Sequence, residues 1–176
     1  MNRVVVFGKP GGGKSTLSKK LSAVTGIKLY ALDLIEYKKS GERVPAEEFL
    51  KKHADLIATD NWIIDGLGKL ESFWSRVDAA DTLIYVDLPY YVSYWWVTKR
   101  LLKSFIVKPE GWPEDCSVLK GTLAGWKYLR LSPRFWTPEL FEEIQSRGEG
   151  KNVYRITSVR ELNKVIKQFG CASVRI

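Results

Sequence analysis

The sequence predicts an α/β fold, in which a five-stranded parallel sheet is covered by helices on both faces. Short apolar runs alternate along the chain with segments of helical periodicity, and this alternation is typical of parallel sheets. The length of 176 residues indicates one domain over the range 1–176, and 45% of the residues are apolar, which is enough for a core. No internal repeat or low-complexity linker divides the chain.

The first half of the chain contains three predicted strands and two predicted helices. RVVVF is a short apolar run bounded by glycine, and NWIID ends in an Asp-Gly pair, so both indicate buried strands. Leu17 and Leu21 lie four residues apart in the first helix, and Gly26 suits its C-cap. PAEEFLKKHADLIA has proline near its start and a broad apolar face. The predicted strands are therefore 3–7, 27–32 and 61–65, and the second helix is 45–58.

The second half continues the alternation. DTLIYVDLP is an apolar run, and PYYVSYWWVTKRLLKS places Tyr90, Tyr94 and Val97 on one helical stripe. SVRELNKVIKQF begins with Ser158 followed three residues later by Glu161, which is a helix-capping signature. These patterns predict strands 81–89 and 151–157 and helices 89–104, 117–131, 137–147 and 158–169.

The composition indicates which classes of partner the protein can bind and in which cell compartment it is expected. The chain has 28 Lys and Arg residues and 20 Asp and Glu residues, which gives a net charge of +8. This charge suits an anionic partner such as a nucleic acid or a small phosphorylated molecule. The most apolar stretch, LIYVDLPYYVSYWWV, is too short to span a bilayer. Cys116 and Cys171 match no metal or redox spacing, which indicates free thiols in the cytoplasm, and His53 is the only histidine. RVVVF follows Met1 almost directly, so we expect no signal peptide.

The stretch GKPGGGKST fits the phosphate-loop pattern G-x-x-x-x-G-K-[ST], and it lies between a predicted strand and a predicted helix. Bare glycine backbone and a helix N-terminus can approach phosphate oxygens closely. Lys14 would reach the β- and γ-phosphates, and Ser15 would offer a hydroxyl to Mg²⁺. The loop therefore predicts binding of ATP and Mg²⁺. The predicted nucleotide-binding residues of the loop are Gly8, Pro10, Gly11, Gly12, Gly13, Lys14, Ser15 and Thr16.

Three aspartates follow predicted strands, at the edge where open α/β sheets bind ligands. They are Asp33, Asp65 and Asp87. One carboxylate beside Ser15 would hold a water of Mg²⁺, for which Asp65 and Asp87 are the candidates. Asp33 or Asp65 would orient the acceptor or a metal-bound water. Each aspartate could equally be a helix N-cap or a loop residue.

The loop resembles that of adenylate kinases, and WIIDG resembles the Asp-Gly strand of nucleoside monophosphate kinases. The sequence is most similar to the adenylate-kinase-like group labelled DNA topology modulation protein, over residues 1 to about 103. YALD, WIIDG, VDLP and WWVTKR carry this similarity. The resemblance implies a three-layer P-loop NTPase fold, with a mobile lid at about 100–120.

The resemblance also assigns residues to the site. Arg100 matches an arginine that acts at the phosphates, whereas Trp96 stands where the group has an arginine over the base, and a tryptophan could stack on a purine there. Arg76 is a candidate for holding an acceptor phosphate. Leu67 and Gly68 replace the residues that usually follow Asp-Gly, so the acceptor of adenylate kinase does not carry over. The predicted catalytic residues are Lys14, Asp33, Asp65 and Arg100.

These patterns predict an ATP- and Mg²⁺-dependent kinase of a nucleotide or another small molecule. The alternative is a nucleic-acid-associated ATPase or regulator of DNA topology, which the net charge favours, although the chain has no helix-turn-helix signature and no clustered basic tail. A GTP-driven switch is a weaker alternative, because the sequence lacks an Asn-Lys-x-Asp stretch. The sequence leaves the acceptor and the oligomeric state open.

Overall fold

The chain forms a five-stranded, all-parallel sheet with the strand order β2-β3-β1-β4-β5. A computed structural model describes residues 1–38, 42–104 and 118–172. The predicted α/β fold with five parallel strands is confirmed, and the strands are shorter at most ends than predicted. They are β1 (Arg3–Gly8), β2 (Leu29–Ala31), β3 (Trp62–Asp65), β4 (Thr82–Val86) and β5 (Asn152–Ile156).

Eight α-helices are present in the described ranges, and most of them follow a strand. They are α1 (Lys14–Thr25), α2 (Leu32–Glu36), α3 (Ala46–Ile57), α4 (Phe73–Ala79), α5 (Tyr90–Ser104), α6 (Val118–Leu131), α7 (Pro138–Arg147) and α8 (Val159–Ala172). Short 3₁₀ turns precede α4 and α7. The central part of the predicted lid, 105–117, and Cys116 within it lie outside the described residues.

Alternating side chains of β1 enter two separate cores, as expected for a sheet that is covered on both faces. Val5 and Phe7 pack with residues of α3, α4 and α7, whereas Val4 and Val6 pack with residues of α1 and α8. All four side chains are fully buried. Aromatic contacts reinforce the first core, where the Phe7 ring stacks on Tyr85 at 5.4 Å between centroids. The central strand is thus fixed from both faces.

The register of the parallel strands places the predicted functional residues at one edge of the sheet. Val6 of β1 is opposite Asp65 of β3, and Ala31 of β2 is opposite the same residue. Gly8, the last residue of β1, is opposite Val86 of β4. Because parallel strands all end at this edge, the segments that leave β1, β2, β3 and β4 surround a common space.

The two predicted helix caps are present. Gly26 ends α1 with φ of 71°, and its N–H donates to the Ser22 carbonyl oxygen at 2.9 Å. At the start of α8, the Glu161 N–H donates to Ser158 Oγ at 3.2 Å, and Glu161 Oε2 accepts from the Thr157 N–H at 2.8 Å. None of the helices in the described ranges has the length and apolarity that crossing a membrane needs.

Candidate active site

The glycine-rich loop joins β1 to α1 and packs tightly against α5. A Cβ atom at Gly11 would lie 2.5 Å from Val97 Cγ2, and a Cβ atom at Gly13 would lie 2.7 Å from Trp96 Cζ3. Gly13 also has φ of 80°, a conformation that other residues adopt only at a cost. The glycines are therefore required by the turn and by the close approach of α5, in addition to the access for phosphates that the motif implies.

The loop ends at the N-terminus of α1, where the backbone carries partial positive charge. The N-cap residue of α1 is Gly13, so no side chain caps this end of the helix, and no acidic residue lies in the first turn. The first amides of a helix have no partner within the helix. This end of α1 is therefore suited to bind an anion such as a phosphate group.

Lys14 begins α1, and its side chain turns back over the loop. Its ammonium nitrogen Nζ donates to the carbonyl oxygen of Lys9 at 2.8 Å. Desolvation lowers the pKa of Lys14, whereas the charges of Asp65 and Asp33 act in the opposite direction. Lys14 thus lies within electrostatic reach of two of the three predicted aspartates.

Asp65 ends β3 and is 5% exposed. Its Oδ1 atom is buried and has no hydrogen-bond partner among the residues that the structure describes. Burial raises the pKa of Asp65, an effect that the charge of Lys14 and a hydrogen bond from Ser15 partly offset. A buried carboxylate oxygen beside an exposed serine hydroxyl is a pair of hard donors, which is the chemistry that Mg²⁺ prefers.

Asp33 lies in the first turn of α2, directly after β2, and is exposed. Its Oδ1 atom is 4.0 Å from the position that a Cβ atom would take at Gly66, in the loop after β3. Its charge acts on both Lys14 and Asp65. The structure therefore brings Asp33, Asp65, Lys14 and Ser15 together at one edge of the sheet.

Asp87 follows β4, but both of its carboxylate oxygens contact cations. Oδ1 is 2.5 Å from Lys9 Nζ, and Oδ2 accepts from Arg155 at 2.9 and 2.6 Å. This arrangement differs from the one that the sequence predicts, in which Asp87 faces Mg²⁺. Two cations at the carboxylate oppose the approach of a third positive charge, so the structure gives this role more support at Asp65 than at Asp87.

Arg76 of α4 has no exposed surface, in contrast to a residue that holds an acceptor phosphate in an open site. Its guanidinium donates to Ser72 Oγ at 3.0 Å and to the carbonyl oxygens of Gly66 and Leu67. Burial lowers the pKa of Arg76. Arg76 thus fixes the loop after β3 from below, and contact with an acceptor would require this loop to open. The acceptor role of Arg76 stays a prediction.

The remaining predicted residues lie on the loop, in the first turn of α1 or on α5. The Trp96 ring is half-buried and packs over Gly13 and against the core that includes α1. Arg100 is exposed on the same helix, one turn further on. Pro10 is half-buried in the loop, and Thr16 is exposed in the first turn of α1. Base stacking by Trp96 and phosphate contact by Arg100 stay predictions.

Sequence reasoning did not identify Lys9 as a residue of the site. Its side chain is 9% exposed, and its ammonium group contacts Asp87, which is 78 positions away in sequence. The signal available in the sequence was its position inside the phosphate loop, next to Gly8.

Among the described residues, no group of three His, Cys, Asp or Glu side chains forms a metal site.

Comparison with known proteins supports the fold. No protein-family model matches the sequence, and no curated protein matches it. The shikimate kinase of Acinetobacter baumannii, solved in complex with shikimate, matches with a TM-score of 0.58 and 15% identity over 100% of this chain and 97% of that chain. At this identity the likeness shows the fold alone.

Two further solved structures match less well. A sugar kinase from Janibacter sp. HTCC2649 matches with a TM-score of 0.46 and 17% identity, over 99% of this chain and 92% of that chain. The shikimate kinase of Aquifex aeolicus matches with a TM-score of 0.49 and 17% identity, over 97% and 94%. The narrower resemblance to the DNA topology modulation group stays a prediction. The chain has the α/β P-loop fold found in the Acinetobacter shikimate kinase.

Proposed function

We propose that this protein is an ATP- and Mg²⁺-dependent kinase, which transfers the γ-phosphoryl group to a nucleotide or another small acceptor. The observation that carries the proposal is the convergence of Lys14, Ser15, Asp65 and Asp33 at the end of the central strands, beside an uncapped helix N-terminus. The fold shared with a shikimate kinase supports the same reaction class. Phosphoryl transfer needs positioning and charge neutralisation, which these residues supply.

The glycine loop and the first turn of α1 would bind the phosphates of ATP. Lys14 would exchange its hydrogen bond with the Lys9 carbonyl for a charge-assisted bond to a phosphate oxygen, which is the stronger of the two. Arg100 would neutralise charge on the transferred group, and Trp96 would stack on the base. The role of Trp96 rests on its contact with the loop, and that of Arg100 rests on its position one turn further along α5.

Magnesium fits the donors that the site contains. Asp65 and Ser15 would hold it, because Asp65 Oδ1 is buried without a hydrogen-bond partner among the described residues and the Ser15 hydroxyl is exposed beside it. Bound Mg²⁺ supplies neutralisation of charge on the β- and γ-phosphates. Asp65 must be ionised for this role, so its raised pKa predicts that metal affinity falls as the solution becomes acidic.

Asp33 would orient the acceptor. It is exposed, it lies opposite the loop after β3, and its charge reaches Lys14. A carboxylate in this position can accept the hydroxyl proton of an acceptor as the phosphoryl group moves.

The test is Mg²⁺-dependent conversion of ATP to ADP with a panel of acceptors: nucleoside monophosphates, nucleosides, shikimate-like alcohols and sugars. Lys14→Ala should abolish ATP binding and turnover. Lys52→Ala is the matched control, because Lys52 is an exposed lysine whose partner is Glu48 on the same helix. A Lys14→Ala variant that binds and turns over ATP as the parent does would refute the proposal.

A nucleic-acid-associated ATPase is the second candidate function, and the net charge of +8 is the observation that favours it. Binding to phosphates of nucleic acids weakens steeply as salt rises, because counterions are released. A salt titration of DNA binding therefore separates the two candidates. Tight binding with a steep salt dependence supports this second function, and no binding at about 150 mM salt, a physiological ionic strength, leaves the kinase.

A further inference from the structure

We propose that Lys9 is a positioning residue of the phosphate loop, which acts on Lys14 through its own carbonyl oxygen and is anchored by Asp87. The role in catalysis rests on the proposed kinase function, whereas the effect on the loop is independent of it. Lys9 occupies a variable position of the phosphate-loop pattern, the residue directly after Gly8.

The side chain of Lys9 is fixed by three contacts outside the loop. Its Nζ atom lies 2.5 Å from Asp87 Oδ1, donates to the Leu88 carbonyl oxygen at 3.1 Å, and lies 4.3 Å from the centre of the Tyr90 ring. Lys9 as a whole is 7% exposed. A lysine is rarely this buried unless it is paired, and these contacts satisfy its charge. The loop is thereby fastened to the end of β4 and the start of α5.

Asp87 is held from its other side by Arg155, the penultimate residue of β5. Arg155 contacts Asp87 Oδ2 through two nitrogen atoms, and its guanidinium also lies 4.3 Å from the centre of the Phe141 ring. Arg155 is 45% exposed on its side chain, whereas Asp87 is 11% exposed. Asp87 is therefore shared between one buried cation, which belongs to the loop, and one half-exposed cation, which does not.

The backbone of Lys9 organises the rest of the loop. Its carbonyl oxygen accepts from the Gly12 N–H at 3.3 Å and from Lys14 Nζ at 2.8 Å. The side chain and the carbonyl group share one Cα atom, so anchoring the ammonium group restricts rotation of the carbonyl group. The position of Lys14 thus depends on the ion pair between Lys9 and Asp87.

The experiment compares Lys9→Met with Arg155→Met. Each variant removes one of the two cations of Asp87, but only the first changes the loop. We expect Lys9→Met to accelerate hydrogen exchange of the amides at 11–15, and Arg155→Met to leave that exchange close to that of the parent. In Mg²⁺-dependent turnover, Lys9→Met should lower kcat by about 10²-fold, the effect of a catalytic group displaced by about 1 Å.

A second variant covers the case in which Lys9→Met does not fold. Asp87→Asn keeps the shape of the side chain and removes the charge that anchors Lys9, so it should accelerate exchange of the same loop amides. Equal exchange in the parent and in whichever of these two variants folds would overturn the proposal, as would equal acceleration by Arg155→Met. Failure of the parent to bind ATP would refute the kinase function, and the exchange comparison would still decide the role of Lys9.

Discussion

Gly13 and Gly26 cap the two ends of α1 with nearly the same backbone conformation, so they form a matched pair for substitution by alanine. Their φ angles are 80° and 71°. Nothing lies within 4 Å of a Cβ atom at Gly26, whereas a Cβ atom at Gly13 would lie 2.7 Å from Trp96 Cζ3. Both variants therefore strain the backbone, and only Gly13→Ala also displaces a neighbouring ring.

The expected costs follow from these contacts. Gly26→Ala should reduce the free energy of unfolding by about 1–2 kcal/mol, the cost of a left-handed conformation for a residue with a Cβ atom. Gly13→Ala should add about 1–3 kcal/mol for overpacking against Trp96. For a chain of this length, each 1 kcal/mol corresponds to a change in Tm of about 2–4 °C.

Denaturant unfolding of both variants, in the parent and in a Trp96→Ala background, measures the two contributions separately. In the Trp96→Ala background the additional cost of Gly13→Ala should disappear, because the ring that it meets is absent. ATP binding should be weaker in Gly13→Ala and unchanged in Gly26→Ala. Equal costs of the two substitutions in the parent background would refute the proposed packing of Trp96 on the loop.

Three ionisable side chains give further predictions. Because burial raises the pKa of Asp65, the folded state loses stability as pH rises through that pKa. Asp65→Asn should therefore raise Tm at neutral pH, and it should abolish Mg²⁺-dependent turnover. A lower Tm of this variant would contradict the reasoning. Burial, with a smaller effect of the Arg76 charge, lowers the pKa of His53 from 6.5 to about 4. The contribution of neutral His53 to stability is therefore complete above pH 6.5 and is lost as pH falls toward 4. His53→Leu should flatten this part of a curve of Tm against pH, and an unchanged slope would contradict the prediction. Asp33→Asn should lower kcat and leave ATP binding intact. Because Asp33 is exposed, the free energy of unfolding should change by no more than about 0.5 kcal/mol. A kcat equal to that of the parent would exclude the acceptor role of Asp33.

The parts of the fold that the sequence predicted depend on contacts between residues close together in the chain. The caps at Gly26 and Ser158 are hydrogen bonds over three or four residues. The phosphate loop lies within one short stretch between a strand and a helix, so its pattern contains its own context. Helices α2 and α4, at five and seven residues, escaped prediction because they are too short to show a helical period.

The parts that the sequence did not predict depend on the register of the sheet. Lys9 contacts Asp87 because Gly8 is opposite Val86 in the sheet, and no local sequence pattern predicts that pairing. Arg76 is a second case, because arginine is usually exposed and only the tertiary packing shows it buried beneath the loop after β3. Residue type and spacing therefore identified the candidates for chemistry, whereas the partners of the charged residues required the structure.

The strand order gives the two halves of the proposed site unequal tolerance to sequence change. β1, which leads into the phosphate loop, is hydrogen-bonded to strands on both sides, whereas β2, which leads to Asp33, has three residues and pairs with β3 alone in the described ranges. Exchange of the segment 29–57 for that of another protein of this fold would disturb one ladder and replace the α3 side chains that pack on Val5 and Phe7, but it would leave the central strand paired. Under the proposed kinase function, we therefore expect recombination at this boundary to change acceptor specificity while β1 keeps both of its strand partners.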